Sequence, residues 1–111
     1  MYSEELRQLI EKLRSTPRQD RAVREFIKEL GRIVQSKFRC KVISIDLGEK
    51  QPLMLYLEAK DRSTYNDVNN FINDVLSKVS SEVGLSVSRK DMREDIHFFI
   101  QNHWICVKLV E

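Results

Sequence analysis

The chain has 111 residues, of which 41% are hydrophobic and 32% are charged, a balance that predicts one soluble globular domain and excludes disordered and fibrous proteins. Only 3 Gly and 2 Pro occur, and no apolar run approaches the roughly 20 residues of a membrane-spanning helix. The net charge of +2 is unevenly placed: residues 1–41 hold 11 Lys and Arg against 6 Asp and Glu, and residues 42–111 hold 8 against 11.

The first 38 residues predict two amphipathic helices. The first covers residues 4–14 after Ser3, a common N-cap residue, and Pro17 favours the start of the second over residues 17–38. Gly31 lies beside the apolar arc of the second helix, where it would let another element approach closely. The apolar side chains repeat with helical spacing at Leu6, Leu9, Ile10, Leu13, Val23, Phe26, Ile27, Leu30, Ile33, Val34 and Phe38.

Residues 42–58 predict a β-hairpin, because the apolar period changes there to two. A turn at residues 48–52 separates two alternating segments. Pairing Leu47 with Leu53 would bring the aliphatic side chains of both strands to one face. These side chains are Ile43, Ile45, Leu47, Leu53, Leu55 and Leu57.

A third helix is predicted over residues 64–83, with Ser63 or Thr64 as its N-cap and Gly84 as its C-terminal stop. A short alternating strand follows at residues 85–88. The helix has the strongest apolar periodicity in the chain, at Tyr65, Val68, Phe71, Ile72, Val75, Leu76, Val79 and Val83.

The last segment predicts a second hairpin, with strands at residues 95–101 and 104–110 and a two-residue loop, Asn102 and His103. In this register Gln101 opposes Trp104, so the two faces differ in character. One face is aliphatic, with Ile96, Phe98, Ile100, Ile105, Val107 and Leu109. The other carries His97, Phe99, Gln101, Trp104, Cys106, Lys108 and Val110.

The element order α-α-ββ-α-β-ββ predicts an α+β fold, a two-layer sandwich in which helices two and three cover one face of a mostly antiparallel sheet of four or five strands. The short first helix is a candidate lid over the second face, where its Leu6, Leu9, Ile10 and Leu13 would cover the aromatic side chains; a second copy of the chain or a partner is the alternative cover. Nearly complete burial is expected for six side chains: Ile45, Leu55, Phe71, Leu76, Phe98 and Val107.

The second sheet face is one candidate for function. Its aromatic, Met and polar side chains are typical of a surface that binds another protein, or a second copy of the chain. Val42, Ser44, Asp46, Glu58, Cys106 and Val110 share this face in the predicted register. The residues predicted to bind the partner are Met54, Tyr56, Phe99, Gln101, Trp104 and Lys108.

A basic ridge on the second helix is the other candidate, since Lys and Arg side chains on one helix face can contact phosphates. Its residues are Arg21, Arg24, Lys28 and Arg32, with Arg14, Arg18 and Arg39 at its ends. Glu25 and Glu29 lie at the edge of the ridge, so a solvated face of ion pairs remains the alternative.

Enzyme chemistry is the third alternative. No phosphate loop, dinucleotide fingerprint or hydrolase motif occurs, so no cofactor is expected, and the spacing of His and Cys predicts no metal site. His97, Asp46, Glu58 and Cys106 share the second face, but the predicted register places Cys106 diagonally from His97. A thiol–imidazole pair would need hydrogen-bond contact.

The element order from about residue 20 onward is similar to that of the ribosomal silencing factor (Iojap-like) family. The similarity lies in VISIDL, in DRSTY before a helix, and in IHFFIQNHWICVKLV. That family usually has a glycine–serine pair before the helix and a Trp in the penultimate strand, where this chain has Arg62 and Ser63, and Phe98 or Phe99. The resemblance implies an association with the ribosome or an RNA–protein complex.

The leading hypothesis is therefore a non-enzymatic interaction module, such as a bacterial or phage regulator, immunity-type or assembly component. A cytoplasmic location is expected, because residues 1–14 lack the apolar core of a signal peptide and a small secreted domain would carry more cysteines. A single Cys40–Cys106 disulfide remains an alternative. An RNA- or ribosome-binding protein and a small enzyme are the competing hypotheses.

Overall fold

The computed structural model describes residues 4–16 and 19–110. Three helices and five strands follow one another in the order α-α-β-β-α-β-β-β, which confirms the predicted α+β class. The helices are α1 (Glu4–Ser15), α2 (Asp20–Phe38) and α3 (Arg62–Val83). The strands are β1 (Lys41–Asp46), β2 (Leu53–Ala59), β3 (Val87–Asp91), β4 (Asp95–Ile100) and β5 (His103–Leu109).

The described strands form one sheet in the order β1-β2-β5-β4-β3, and among them only β2 and β5 pair in parallel. The connection from β2 through α3 to the later strands makes this pairing possible, because parallel neighbours need a crossover. Both α2 and α3 pack against the sheet, and their buried side chains join those of the central strands in one core, as predicted. None of the helices in the described part of the chain is long and apolar enough to cross a membrane.

The ends of the helices differ slightly from the predicted ones. Asp61, and not Ser63 or Thr64, is the N-cap of α3, since its carboxylate accepts a hydrogen bond from the Thr64 N–H at 2.8 Å. Gly84 ends the helix with a φ of 80°, as expected of a left-handed C-cap. Helix α2 begins at Asp20, and the predicted roles of Ser3 and Pro17 lie outside the described residues.

The predicted register of the first hairpin is wrong by one residue. Leu53 pairs with Asp46, not with Leu47, so the side chains of β1 exchange faces relative to those of β2. Val42 therefore faces α2, beside Gly31, which allows the close approach of Leu55. Ile43 and Ile45 lie on the opposite face, and Leu47 lies beyond the strand with 64% of its surface exposed.

The second hairpin is shifted by two residues, which leaves the faces of both strands as predicted. Trp104 pairs with Phe99, and the loop is formed by Gln101 and Asn102. Gln101 has a φ of 54°, the positive value that a tight hairpin loop needs. The shift makes His103 the first residue of β5 and places it in the buried layer under the helices.

Four of the six expected core residues, Leu55, Leu76, Phe98 and Val107, are at most 1% exposed. The expectation is wrong for the other two. Ile45 is only partly buried because the register of β1 turns it to the opposite face. Phe71 lies at the margin of the core, where its ring contacts Phe38 and the Lys37 ammonium group.

Helix α1 extends the helical layer, so the candidate lid over the second face is wrong. Its Leu6, Ile10 and Leu13 are buried in the core that α2 and α3 share. Two ion pairs hold its polar side, Lys12–Glu25 at 2.9 Å and Arg14–Glu82 at 2.6 Å. Both cysteines are free, so the alternative of a Cys40–Cys106 disulfide is also wrong.

Candidate functional site

The side of the sheet that faces away from the helices is the first candidate site, and we call it the open face. Strand alternation and register determine its members, because directly paired residues point to the same side. No element of the described ranges 4–16 and 19–110 packs across it, since all three helices lie on the other side. Its side chains are Lys41, Ile43, Ile45, Met54, Tyr56, Glu58, Ser88, Lys90, Asp95, His97, Phe99, Trp104, Cys106 and Lys108.

Four rings form a connected cluster at the centre of the open face. Trp104 is the hub, with its ring centroid 5.1 Å from those of Tyr56 and His97 and 6.5 Å from that of Phe99. The Tyr56–Trp104 contact is edge-to-face, a favourable arrangement for aromatic rings. The cluster is preformed and held on three neighbouring strands of the sheet.

Parts of the open face are accessible to solvent. Phe99 is 38% exposed and Ile43 is 36% exposed, whereas Tyr56 and Trp104 are partly buried by their neighbours. The indole N–H of Trp104 is buried and has no hydrogen-bond acceptor among the described residues. The open face is therefore apolar at its centre, with polar groups around it.

Five of the six residues predicted to bind a partner lie on the open face: Met54, Tyr56, Phe99, Trp104 and Lys108. Gln101 lies in the β4–β5 loop instead, as a result of the two-residue shift. Val42 and Asp46 belong to the helical side because of the shift in β1. The partner-binding role of these residues stays a prediction.

Asp95, His97 and Cys106 form a compact polar cluster within the open face. His97 is directly opposite Cys106, not diagonal to it as predicted, and Asp95 precedes His97 by two residues on the same strand. One potential ligand atom from each side chain lies within 4.8 Å of the other two. His97 Nε2 is buried without a hydrogen-bond partner among residues 4–16 and 19–110, and the nearest Asp95 oxygen is 3.9 Å away.

The Cys106 thiol is not activated as a nucleophile in this setting. Burial raises its pKa to about 11, and the nearby Asp95 carboxylate raises it further than Lys108 lowers it. A neutral thiol does not provide the thiolate that nucleophilic catalysis requires. Asp46 is on the other side of the sheet, so the predicted set of His97, Asp46, Glu58 and Cys106 does not come together.

The predicted basic ridge of α2 is not a continuous exposed surface, because Arg24 is buried. Its guanidinium group donates hydrogen bonds to Asp20 and Asp46, at 2.9 Å each, and to the carbonyl oxygens of Gly48 and Gln51. Arg24 thus connects α2 to the β1–β2 loop. This arrangement satisfies most of the donors of the guanidinium group within the protein.

The other ridge residues have acidic neighbours on or near the same helix. Lys28 forms an ion pair with Asp46 at 2.6 Å, Arg21 lies 3.8 Å from Glu25, and Arg32 pairs with Glu29. The ion pairs with Glu25 and Glu29 are those expected of a solvated face, which the sequence analysis gave as the alternative to a phosphate-binding ridge. RNA binding by Arg21, Arg24, Lys28 and Arg32 stays a hypothesis that this geometry does not favour.

His103 extends the Arg24 network into the core through Asp20, a role that the sequence analysis did not predict. The His103 ring is 1% exposed; its Nδ1 accepts a hydrogen bond from the Leu53 N–H at 3.0 Å. Nε2 therefore carries the ring proton and donates a hydrogen bond to the Asp20 carboxylate at 2.7 Å. The spacing of Asp20 and Arg24 by four residues was the only available signal, since such a pair can meet on one helix face.

Acid is expected to destabilise this network. Hydrogen bonds from Lys28 and from the Gly48 N–H lower the Asp46 pKa from 3.8 to about 2. The unfolded chain therefore binds a proton at Asp46 before the folded protein does, and stability present above pH 4 is lost between about pH 4 and 2. Urea unfolding at several pH values should show this loss, and an Asp46→Asn variant should show a shallower dependence over that range. Equal slopes would contradict a role for Asp46.

Protonation of Asp20 in acid should also lower the stability of the fold. Burial raises the Asp20 pKa, but hydrogen bonds from His103 and Arg24 outweigh that effect and leave the pKa below its ordinary value. The Asp20–Arg24–Asp46 arrangement is therefore a structural network of paired charges.

No protein-family profile matches this chain, and no curated protein sequence matches it significantly. The resemblance to the Iojap-like family is thus one of element order, and it carries no argument about function.

Proposed function

We propose that the protein is a non-enzymatic interaction module that binds a second copy of itself through the open face. The observation that supports this proposal is the connected ring cluster of Tyr56, His97, Phe99 and Trp104 on a sheet face that no described element covers. Large rings are costly to leave in contact with water. Burial against another sheet would remove that cost.

The area of the open face is sufficient for a dimer of low affinity. Five strands about 4.8 Å apart and about 20 Å long present roughly 480 Å², so two copies packed face to face would bury about 1,000 Å². That area is close to the lower bound for specific protein interfaces, so micromolar affinity is expected. Two such faces pack about 10 Å apart in β-sandwiches, a distance that side chains such as Met54 and Trp104 can fill.

The charges around the ring cluster favour a partner of mixed charge. Lys41, Lys90 and Lys108 lie on the open face together with Glu58 and Asp95. A surface that carries both signs can pair with a rotated copy of itself, as a two-fold dimer requires. A strongly acidic or strongly basic partner would leave some of these groups against like charges.

Self-association should respond to a charge placed on the exposed ring of the cluster. Sedimentation from about 1 to 200 µM should show a monomer–dimer equilibrium for the parent chain. Phe99→Glu should weaken it at least about tenfold, since the charge would be buried against apolar side chains. Phe99 is 38% exposed, so the variant should keep its fold.

The matched control is Gln35→Glu, which adds the same charge at an exposed position on α2, away from the open face. It should dimerise like the parent chain. A parent that stays monomeric throughout this range, or dimers that survive Phe99→Glu, would overturn the proposal. Binding of single-stranded RNA by a monomer, abolished by Phe99→Glu, would also overturn it and assign the open face to nucleic acid.

A further inference from the structure

The cluster of Asp95, His97 and Cys106 is a second feature of the open face. No hydrogen bond between these three side chains accounts for their arrangement. The three side chains come from β4 and β5, two strands in direct antiparallel pairing, so the backbone fixes their relative positions. Their potential ligand atoms lie within 4.8 Å of one another. His97 Nε2 is a buried polar atom with no hydrogen-bond partner in the part of the chain that the structure describes, an arrangement that costs free energy unless something binds there.

The donor atoms are those that Zn²⁺ prefers. A thiolate, an imidazole nitrogen and a carboxylate oxygen bind zinc at about 2.0–2.3 Å, so tetrahedral ligands lie about 3.5 Å apart. Small side-chain rotations would bring the three ligand atoms from their present separations, which are within 4.8 Å, to that spacing. The thiolate disfavours Mg²⁺ and Ca²⁺, which prefer oxygen ligands.

We propose that Asp95, His97 and Cys106 bind one Zn²⁺ ion per chain, with water as the fourth ligand. On binding, the Cys106 S–H bond breaks, a sulfur–zinc bond forms, and the proton passes to solvent. Asp95 has 32% of its side chain exposed, so the ion can enter from the solvent side. All three ligands belong to one chain, so the zinc site needs no residue from a second copy.

Two lysines set a limit on the affinity. Lys90 pairs with His97 across β3 and β4, and Lys108 pairs with Asp95 across β4 and β5, so both ammonium groups share the open face with the ion. Their positive charges oppose a cation, and the affinity should be weaker than that of a four-ligand structural site.

The test uses the reduced full-length chain with Zn²⁺ alone, and then with Co²⁺ as a spectroscopic probe. Calorimetry should show one Zn²⁺ per chain, and Co²⁺ should give the near-ultraviolet charge-transfer band of a cobalt–thiolate bond. Cys106→Ala should abolish this band, whereas Cys40→Ala, which removes the other buried thiol, should retain it. Asp95→Asn should weaken Zn²⁺ binding at least about tenfold and keep the band.

Circular dichroism should confirm that each variant is folded. Asp95 is only partly buried, so its variant keeps the test decisive even if Cys106→Ala does not fold. Absence of Zn²⁺ binding by the parent chain at about 100 µM would overturn the proposal. A cobalt–thiolate band that disappears with Cys40→Ala, or Zn²⁺ binding that Asp95→Asn leaves unchanged, would overturn it as well.

Discussion

Replacing Phe98 by Ala should lower the free energy of unfolding by about 3–5 kcal/mol. The Phe98 ring is 1% exposed and lies on the helical side of β4, in the core formed by α2, α3 and the central strands. Removing it leaves a cavity that the surrounding rigid sheet and helices cannot fill completely. Urea denaturation of the purified variant would measure the loss.

The neighbouring residue provides the matched control. Phe99 has the same side chain but lies on the open face and is 38% exposed, so Phe99→Ala should cost less than about 1.5 kcal/mol. The difference between two adjacent phenylalanines tests which side of the sheet is the core. Equal losses, or a larger loss for Phe99, would contradict the assignment of the two faces.

Arg24→Ala should lower the free energy of unfolding by about 3 kcal/mol, because it removes the centre of a hydrogen-bond network. Without the guanidinium group, Asp20 and Asp46 lose their shared cation, and the carbonyl groups of Gly48 and Gln51 lose a donor. Both carboxylates keep some access to water, with 47% and 31% of their side chains exposed, which limits the loss.

Arg21 is the control on the same helix, since 90% of its side chain is exposed and its nearest carboxylate is 3.8 Å away. Arg21→Ala should change stability by less than about 0.5 kcal/mol. Arg24→Lys should recover only part of the loss, because an ammonium group cannot make the forked hydrogen bonds of a guanidinium. Full recovery by lysine would show that charge alone, and not the hydrogen bonds, accounts for the role of Arg24.

The faces of the second hairpin could be predicted from sequence because alternation is a local property. Ile96, Phe98 and Ile100 alternate with His97 and Phe99 along β4, and a two-residue shift in register leaves that alternation intact. The position of Trp104 opposite the aliphatic layer was therefore predicted correctly, although the predicted loop was not. The loop lies one residue earlier, since His103 belongs to β5 and is hydrogen-bonded inside the core.

The faces of the first hairpin, in contrast, could not be predicted from alternation alone. Both possible faces of β1 carry aliphatic side chains, with Ile43 and Ile45 on one and Val42 on the other, so alternation does not distinguish them. A shift of one residue was enough to exchange the faces. Asp46 on the helical side reaches Arg24 and Lys28, contacts that depend on the position of α2.

The two candidate sites also differ in how far they could be predicted from the sequence. The aromatic and apolar character of the open face follows from the sequence of β2, β4 and β5, because each strand alternates independently of its neighbours. The cluster of Asp95, His97 and Cys106 does not, since His97 and Cys106 become direct partners only in the actual register of the hairpin. Spacing along the chain predicted no metal ligands there.

The sequence by itself determined the order of the elements, the α+β class and the alternation of each strand, because helical and strand periodicity are set by neighbouring residues. Only the tertiary structure decided the strand order, the parallel pairing of β2 with β5, the burial of Arg24 and His103, and the place of α1 among the other helices. Each of these depends on which distant groups satisfy a hydrogen bond or fill a core, and that information is not local.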